Sequence, residues 1–254
     1  MRKIVLTALA VAAACFAGSL PASSSEAIKP PSQSWGFGGI FGTFDRAALQ
    51  RGFHVYKDVC AACHSMNLLA YRNLRALGFS EDEVKGIAAE YEVTDGPNDE
   101  GNMFQRAGRP SDRFKAPFAN EKAARAANNG AFPPDLSLMI KARPSGANYV
   151  HALLTGYEPP PPSVKLMEGM NYNKFFPGGQ IAMAPPLNAD AVTFGDGTPA
   201  TVAQMSKDVV TFLAWAAEPE LEVRKQMGVK VILFLIVLTI MLYAAKRRTW
   251  AGVH

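Results

Sequence analysis

The chain has 254 residues and a formal net charge of +4, and the segment between its two terminal apolar runs, about 200 residues, suits one domain with a single core. The positive balance comes from the end of the chain, because Arg224 onward holds six basic residues and no acidic one, whereas residues 28–223 hold 18 basic and 21 acidic side chains. Nothing in this mildly acidic head supports a nucleic-acid partner, which would need a basic face or stripe.

In chain order, Arg2 and Lys3 precede an apolar run from Ile4 to Ala17, the pattern of a secretory signal too short to be a stable anchor. Small residues at Ala22-Ser23-Ser24 and at Ser25-Glu26-Ala27 both fit a cleavage site, and we place the boundary after Ala27. Cys15 leaves with the signal, so two cysteines remain in the exported chain. Residues 28–42, rich in Pro, Ser, Gly and aromatics, read as an extended arm. Leu49, Phe53 and Tyr56 then recur at helical spacing and lead into Cys60. Ser80 and Glu83 form a capping box for a helix with the apolar stripe Val84, Ile87, Ala88 and Tyr91. From Glu92 to Pro110 periodicity is lost. Further helices are predicted from Glu121 to Asn128, stopped by Gly130, and from Tyr149 to Thr155, stopped by Gly156.

Four consecutive prolines between Glu158 and Ser163 impose a stiff, extended connection. Loop continues through Pro177-Gly178-Gly179 to Pro185-Pro186. Thr201 and Gln204 can then cap a helix whose face is Val202, Met205, Val209, Phe212, Leu213 and Ala216, interrupted at Pro219. The head therefore reads as mainly α with long loops. A final apolar stretch, Met227 to Ala245, would cover roughly 28 Å as a helix and is followed by Lys246-Arg247-Arg248. This predicts an anchor over 224–248 and a cytoplasmic tail over 249–254. Basic residues balance on its two sides, so orientation follows from the signal: the large segment 28–223 is exported.

Cys60-Ala61-Ala62-Cys63-His64 matches C-x-x-C-H, the attachment signature of c-type haem. Two thiols on one turn can each add to a porphyrin vinyl group, and the following imidazole is then placed beneath the iron. A zinc site would need four ligands, a thioredoxin-like pair would sit in an alternating strand and helix pattern, and a plain disulfide accounts for neither the spacing nor His64. Haem is the reading that uses all three residues. The opposite iron ligand decides between an electron carrier and a ligand-binding haem. The residues leave it open among ten methionines and His54, His151 and His254. Met183 stands out by its place between Gly178-Gly179 and Pro185-Pro186, against the ordinary role of methionine as core filler. His54 reads as a surface residue and His151 as an ordinary helix residue.

Val59 to Met66, Asp95-Gly96-Pro97-Asn98, Ala123 to Ser137, Ile181 to Leu187 and Gly197 to Glu220, taken together and in order, resemble cytochrome c1, the haem subunit of the cytochrome bc1 complex. The resemblance extends over nearly the whole exported chain and includes Trp215-Ala216-Ala217-Glu218-Pro219 and the anchor. It implies a class I cytochrome c-like haem domain carrying one covalent haem c, with Met183 of Met-Ala-Pro-Pro as the sixth ligand to iron opposite His64. It also implies that Arg143, nine residues after the second proline of Pro-Pro-Asp-Leu-Ser, binds a haem propionate, and that a carbonyl near Pro134 orients His64. The implied partners are cytochrome b beside the anchor, the Rieske iron-sulfur protein as electron donor and a soluble cytochrome c as acceptor. The implied location is a bacterial inner membrane with the haem domain on the periplasmic side. From Glu81 to Glu100, eight acidic side chains and one lysine could steer a basic carrier. The competing readings are a membrane-anchored haem enzyme or gas sensor with an open sixth position, and a tethered shuttle outside any complex.

Overall fold

The computed structural model describes residues 28–252, so the signal expected over 1–27, with Cys15, and the candidate ligand His254 lie outside the described residues. Two long helices form the centre of the head. The first, α1 (Arg46–Asp58), is capped by Asp45, whose carboxylate accepts from Ala47 N at 3.0 Å. It crosses the helix that becomes α5 (Val202–Ala217) at Gly52, where a Cβ would lie 2.1 Å from the Asp208 carbonyl oxygen. Only glycine permits that approach. Phe53 and Tyr56 of α1 meet Phe212 with ring centroids 5.8 and 5.7 Å apart, inside a core that also holds Leu49, Met205 and Trp215. Gly52→Ala is therefore expected to cost about 1–3 kcal/mol by overpacking, read as a lower denaturant midpoint with an unchanged slope.

The capping pattern at α5 is half of what the sequence suggests. Thr201 Oγ1 accepts from Gln204 N at 3.2 Å, but the Gln204 side chain turns to Asp208 at 2.9 Å instead of returning to the cap. Asp208 is buried and has a stronger claim on donors: Arg51 reaches it at 2.7 Å and Asp196 at 2.6 Å. Twelve of the sixteen residues of α5 are buried, so this helix is enclosed on several faces and not along one stripe.

A short 3-10 segment, Tyr71–Leu77, follows the motif region, and then comes α2 (Glu81–Ala89). Its capping box is complete: Ser80 Oγ accepts from Glu83 N at 3.2 Å and Glu83 Oε2 from Ser80 N at 2.7 Å. The region expected to lack periodicity contains an antiparallel hairpin, β1 (Glu92–Asp95) against β2 (Phe104–Ala107), with Val93 opposite Arg106. Arg106 ties it down by pairing with Asp95 and, at 2.6 and 2.9 Å, with both oxygens of Asp112. The Arg106 hydrogen bonds outweigh desolvation and hold the Asp112 carboxyl down to about 2. A carboxyl depressed on folding stabilises the fold above its ordinary value and loses that contribution as pH falls through the folded one. Hairpin amides should therefore lose exchange protection between about pH 4 and pH 2, and Arg106→Gln should remove that dependence.

Helix α3 (Glu121–Ala127) is capped by Asn120, and Gly130, at φ +85°, closes its end. Helix α4 (Gly146–Thr155) begins three residues before the predicted start and packs on α5. The proline segment connects to a two-residue ladder, β3 (Asn171–Tyr172) with β4 (Gln180–Ile181). Past Pro219 the chain forms one continuous helix, α6 (Leu221–Trp250), longer at both ends than the expected anchor. Its most apolar window has a mean hydropathy of 2.4 and none of it is buried; among the described residues it is the one helix long and apolar enough to cross a membrane.

Candidate haem-binding site

The site begins where α1 ends. Val59 N still donates to Val55 O, after which the chain tightens into a 3-10 turn at Cys60–Ala62, with Cys63 N and His64 N both donating to Cys60 O at 3.1 and 2.9 Å. One turn thus carries both thiols and the imidazole. Both cysteines are free; Cys60 is half-buried and Cys63 exposed. Burial, with a smaller contribution from Cys63, pushes the Cys60 thiol up to about 12. That is the opposite of the lowered value a thioredoxin-like nucleophile needs. Among the described residues no group of three or more His, Cys, Asp or Glu is placed to hold a metal ion.

His64 Nδ1 lies 2.8 Å from the Pro134 carbonyl oxygen. A carbonyl can only accept, so Nδ1 carries the proton and the neutral ring offers its Nε2 lone pair. Burial lowers the His64 pKa, against the opposing pull of the Pro134 bond, and so favours that neutral form. An oriented, neutral imidazole directly after C-x-x-C fits covalent haem. The Pro134 carbonyl is held in place by a clasp that the sequence did not reveal. Leu136 N donates to Ser65 O at 2.9 Å, and the Asp135 carboxylate accepts from Ser65 Oγ at 2.9 Å, Asn67 N at 2.8 Å and Ser137 N at 2.9 Å. Leu68 N completes it by donating to Ser137 Oγ at 3.1 Å. Burial would raise the Asp135 pKa, but the bonds from Ser137, Asn67 and Ser65 prevail and hold it below the usual range. An Asp two residues before a Ser, after two prolines, is a turn signature, and was the available signal.

Met183 is half-buried in the loop after β4, and its carbonyl accepts from the Tyr157 hydroxyl at 3.0 Å. Asn173 stiffens the same region, its Nδ2 donating to Leu153 O at 2.7 Å and its backbone N to Gly179 O at 3.0 Å. Arg143 lies exposed before α4 with its guanidinium donating only to the Ala142 carbonyl at 3.1 Å; among the described ion pairs it has no carboxylate. Two of the other candidate ligands, His54 and His151, have neighbours of their own. His54 is half-buried, with its ring 6.3 Å from that of Phe79, and His151 Nδ1 is 2.8 Å from Ser206 Oγ, joining α4 to α5. A partly open cavity of about 170 Å³ is bounded by the rings of Phe53, Tyr56, Tyr71, Tyr91 and Phe114 and by Lys57, Lys115 and Ala61; it borders the motif at Ala61 but includes none of Cys60, Cys63, His64 or Met183.

The acidic segment is less free than its composition implies. Glu81 and Asp82 pair with Lys85, Glu90 with Lys57 and Asp95 with Arg106, while Glu83 caps α2. Glu92, Asp99 and Glu100 remain outside these pairs.

The Cytochrome C1 family matches residues 35–253. A mitochondrial heme protein of Arabidopsis thaliana, Cytochrome c1 1, is 55% identical over 233 residues, covering 91% of this chain and 76% of that protein. Cytochrome c1 of Rhodospirillum rubrum is 48% identical over 270 residues, covering 100% and 99%. A protein of Bradyrhizobium diazoefficiens named Cytochrome b/c1 is 49% identical over 274 residues, 98% of this chain but 40% of that longer protein.

Proposed function

The chain belongs to the cytochrome c1 family, and from that premise we propose that it relays single electrons from the Rieske iron-sulfur protein to a soluble cytochrome c within a quinol–cytochrome c reductase. Family membership brings with it a covalent haem c, the electron-transfer role in a bc1 complex and one C-terminal membrane-spanning helix. The observation that carries the finer reading is the 2.8 Å bond between His64 Nδ1 and the Pro134 carbonyl, which leaves the Nε2 lone pair as the donor that would bind iron.

When bound, haem c supplies a one-electron iron(III)/iron(II) couple. The chain's task is then positional. Cys60 and Cys63 would hold the group through thioethers, and His64 and Met183 would be the side chains that bind its iron, leaving no place for dioxygen or water. Ligation by a thioether and an imidazole would raise the potential, which suits an acceptor placed between an iron-sulfur donor and a mobile cytochrome. Among the described residues the Arg143 guanidinium has no carboxylate partner, so it would be available to a propionate. One electron enters from the reduced Rieske centre and one leaves to oxidised cytochrome c, with no bond made or broken in the chain. Cytochrome b flanks α6; the name of the Bradyrhizobium relative, which joins b to c1 in one longer protein, supports that neighbourhood. Residues 28–223 lie on the periplasmic side of a bacterial inner membrane and the tail after α6 on the cytoplasmic side.

Gentle detergent extraction tests this reading. The chain should co-purify with a diheme cytochrome b and an iron-sulfur protein and, once reduced, pass its electron to oxidised soluble cytochrome c. Recovery of the chain alone in every mild detergent would contradict the complex.

A further inference from the structure

The arm before α1 contains a closed turn that includes none of Cys60, Cys63, His64 or Met183. From Pro30 to Phe44 there is no charged side chain, and residues 36–43 form a closed turn in which Thr43 N donates to Gly36 O at 3.0 Å and Gly38 N to Trp35 O at 2.9 Å. The turn is tight: a Cβ on Gly42 would sit 1.8 Å from the Gly38 carbonyl oxygen, and Gly39 has φ +63°. Backbone fills its interior, so the side chains at its tip point out. Ile40 is 69% exposed and Phe41 82% exposed. Packed rings tie the turn to the head, with Trp35 stacked on Phe37 at a centroid distance of 5.4 Å and Phe37 tilted against the buried Phe44 at 5.2 Å.

The same turn is fastened to the first two turns of α6. Lys225 Nζ donates to the carbonyls of Phe37 at 2.6 Å and Gly42 at 3.1 Å, and Glu222 accepts from Phe44 N at 2.7 Å and from Arg46 at 2.9 Å. The apolar stretch of α6 starts at Met227, two residues beyond Lys225 and roughly 3 Å further along the axis. A rigid, uncharged tip bearing a phenyl ring and a branched alkyl group is therefore held level with the point where the helix enters lipid. Exposed to water, such a pair is a liability; in the headgroup layer it is in the environment aromatic residues favour.

We propose that Ile40 and Phe41 insert into the interfacial layer of the lipid bilayer, giving the head a second membrane contact beside α6 that fixes its height and tilt. The proposal rests on the reading of α6 as the membrane span. The Glu222 and Lys225 bonds make the two contacts one unit, so the haem domain stands on the membrane and does not swing from a single flexible joint.

The test uses the full-length haem-loaded chain, reduced so that the iron is diamagnetic, in nanodiscs of phosphatidylcholine and phosphatidylglycerol. Spin labels on Phe41→Cys, on Ile236→Cys in the middle of α6 and on Asp99→Cys in the hairpin loop are compared by relaxation with dioxygen and with a water-soluble nickel chelate. The label at position 41 should favour dioxygen several-fold over the label at 99 and less than the label at 236, and Ile40→Cys should behave like Phe41→Cys. A label at 41 as nickel-accessible as that at 99, with 236 shielded, overturns the proposal and leaves the span standing. Nickel access at both 41 and 236 overturns the span as well. Shielding of 41 only in the assembled complex assigns the tip to a protein neighbour and also overturns the lipid contact.

Discussion

Met183→Leu is expected to leave haem attached and the fold intact while opening the sixth position on iron. Leucine preserves volume, so the cost in stability should stay under about 1.5 kcal/mol, and Cys60 and Cys63 still hold the group. The lost thioether should appear in three ways. The near-infrared sulfur-to-iron band of the oxidised protein should vanish, the reduced protein should bind carbon monoxide, and the potential should fall by a substantial part of the roughly 0.8 V range that axial ligands set. For a one-electron couple a fall of about 59 mV already makes electron acceptance tenfold less favourable. Turnover of the complex should therefore drop by more than tenfold. Tyr157→Phe removes the donor to the Met183 carbonyl without touching the thioether; it should weaken the band and lower the potential by much less.

Asp135→Ala should have the largest effect on stability. It removes the acceptor for Ser65 Oγ, Asn67 N and Ser137 N at once, and Ser137 is fully buried. Each donor left unpaired away from water costs about 1–3 kcal/mol, and the partly exposed ones recover some of that from solvent, so a loss of about 2–4 kcal/mol is expected by denaturant titration. Because the clasp presents the Pro134 carbonyl to His64, the yield of haem-loaded protein should also fall. Asp135→Asn keeps one acceptor oxygen and should recover part of both. Equal loss from Asn and Ala would mean that the negative charge, and not the acceptor geometry, holds the clasp.

The contrast between these two residues shows what sequence could and could not convey. The capping box at Ser80 and Glu83 and the helical spacing of Leu49, Phe53 and Tyr56 are local signals, and α2 and α1 formed where they pointed. The C-x-x-C-H spacing is local too, and it placed both thiols and the imidazole on one turn. The hairpin of Glu92–Asp95 with Phe104–Ala107 was not legible. Its strands are four residues each, mostly exposed, and are held by Arg106 reaching Asp112, an arrangement with no period to detect. The 3-10 segment Tyr71–Leu77 depends likewise on Tyr71 N donating to Asp112 O at 3.0 Å. Asp208 was hidden within the apolar face of α5 because its partner, Arg51, lies on a different helix. At the site, Gly and Pro around Met183 marked a constrained loop. Tyr157 and Asp135, which constrain the two sides, act through contacts 26 and about 70 residues distant in the chain.

As proposed, His64 and Met183 would both bind the iron of one covalent haem, so that the chain relays electrons and does not take up ligands. Carbon monoxide tests it most directly. Dithionite-reduced, full-length holoprotein should give an absorption spectrum unchanged by saturation with the gas. A shifted Soret band under those conditions would show an open sixth position and contradict the account.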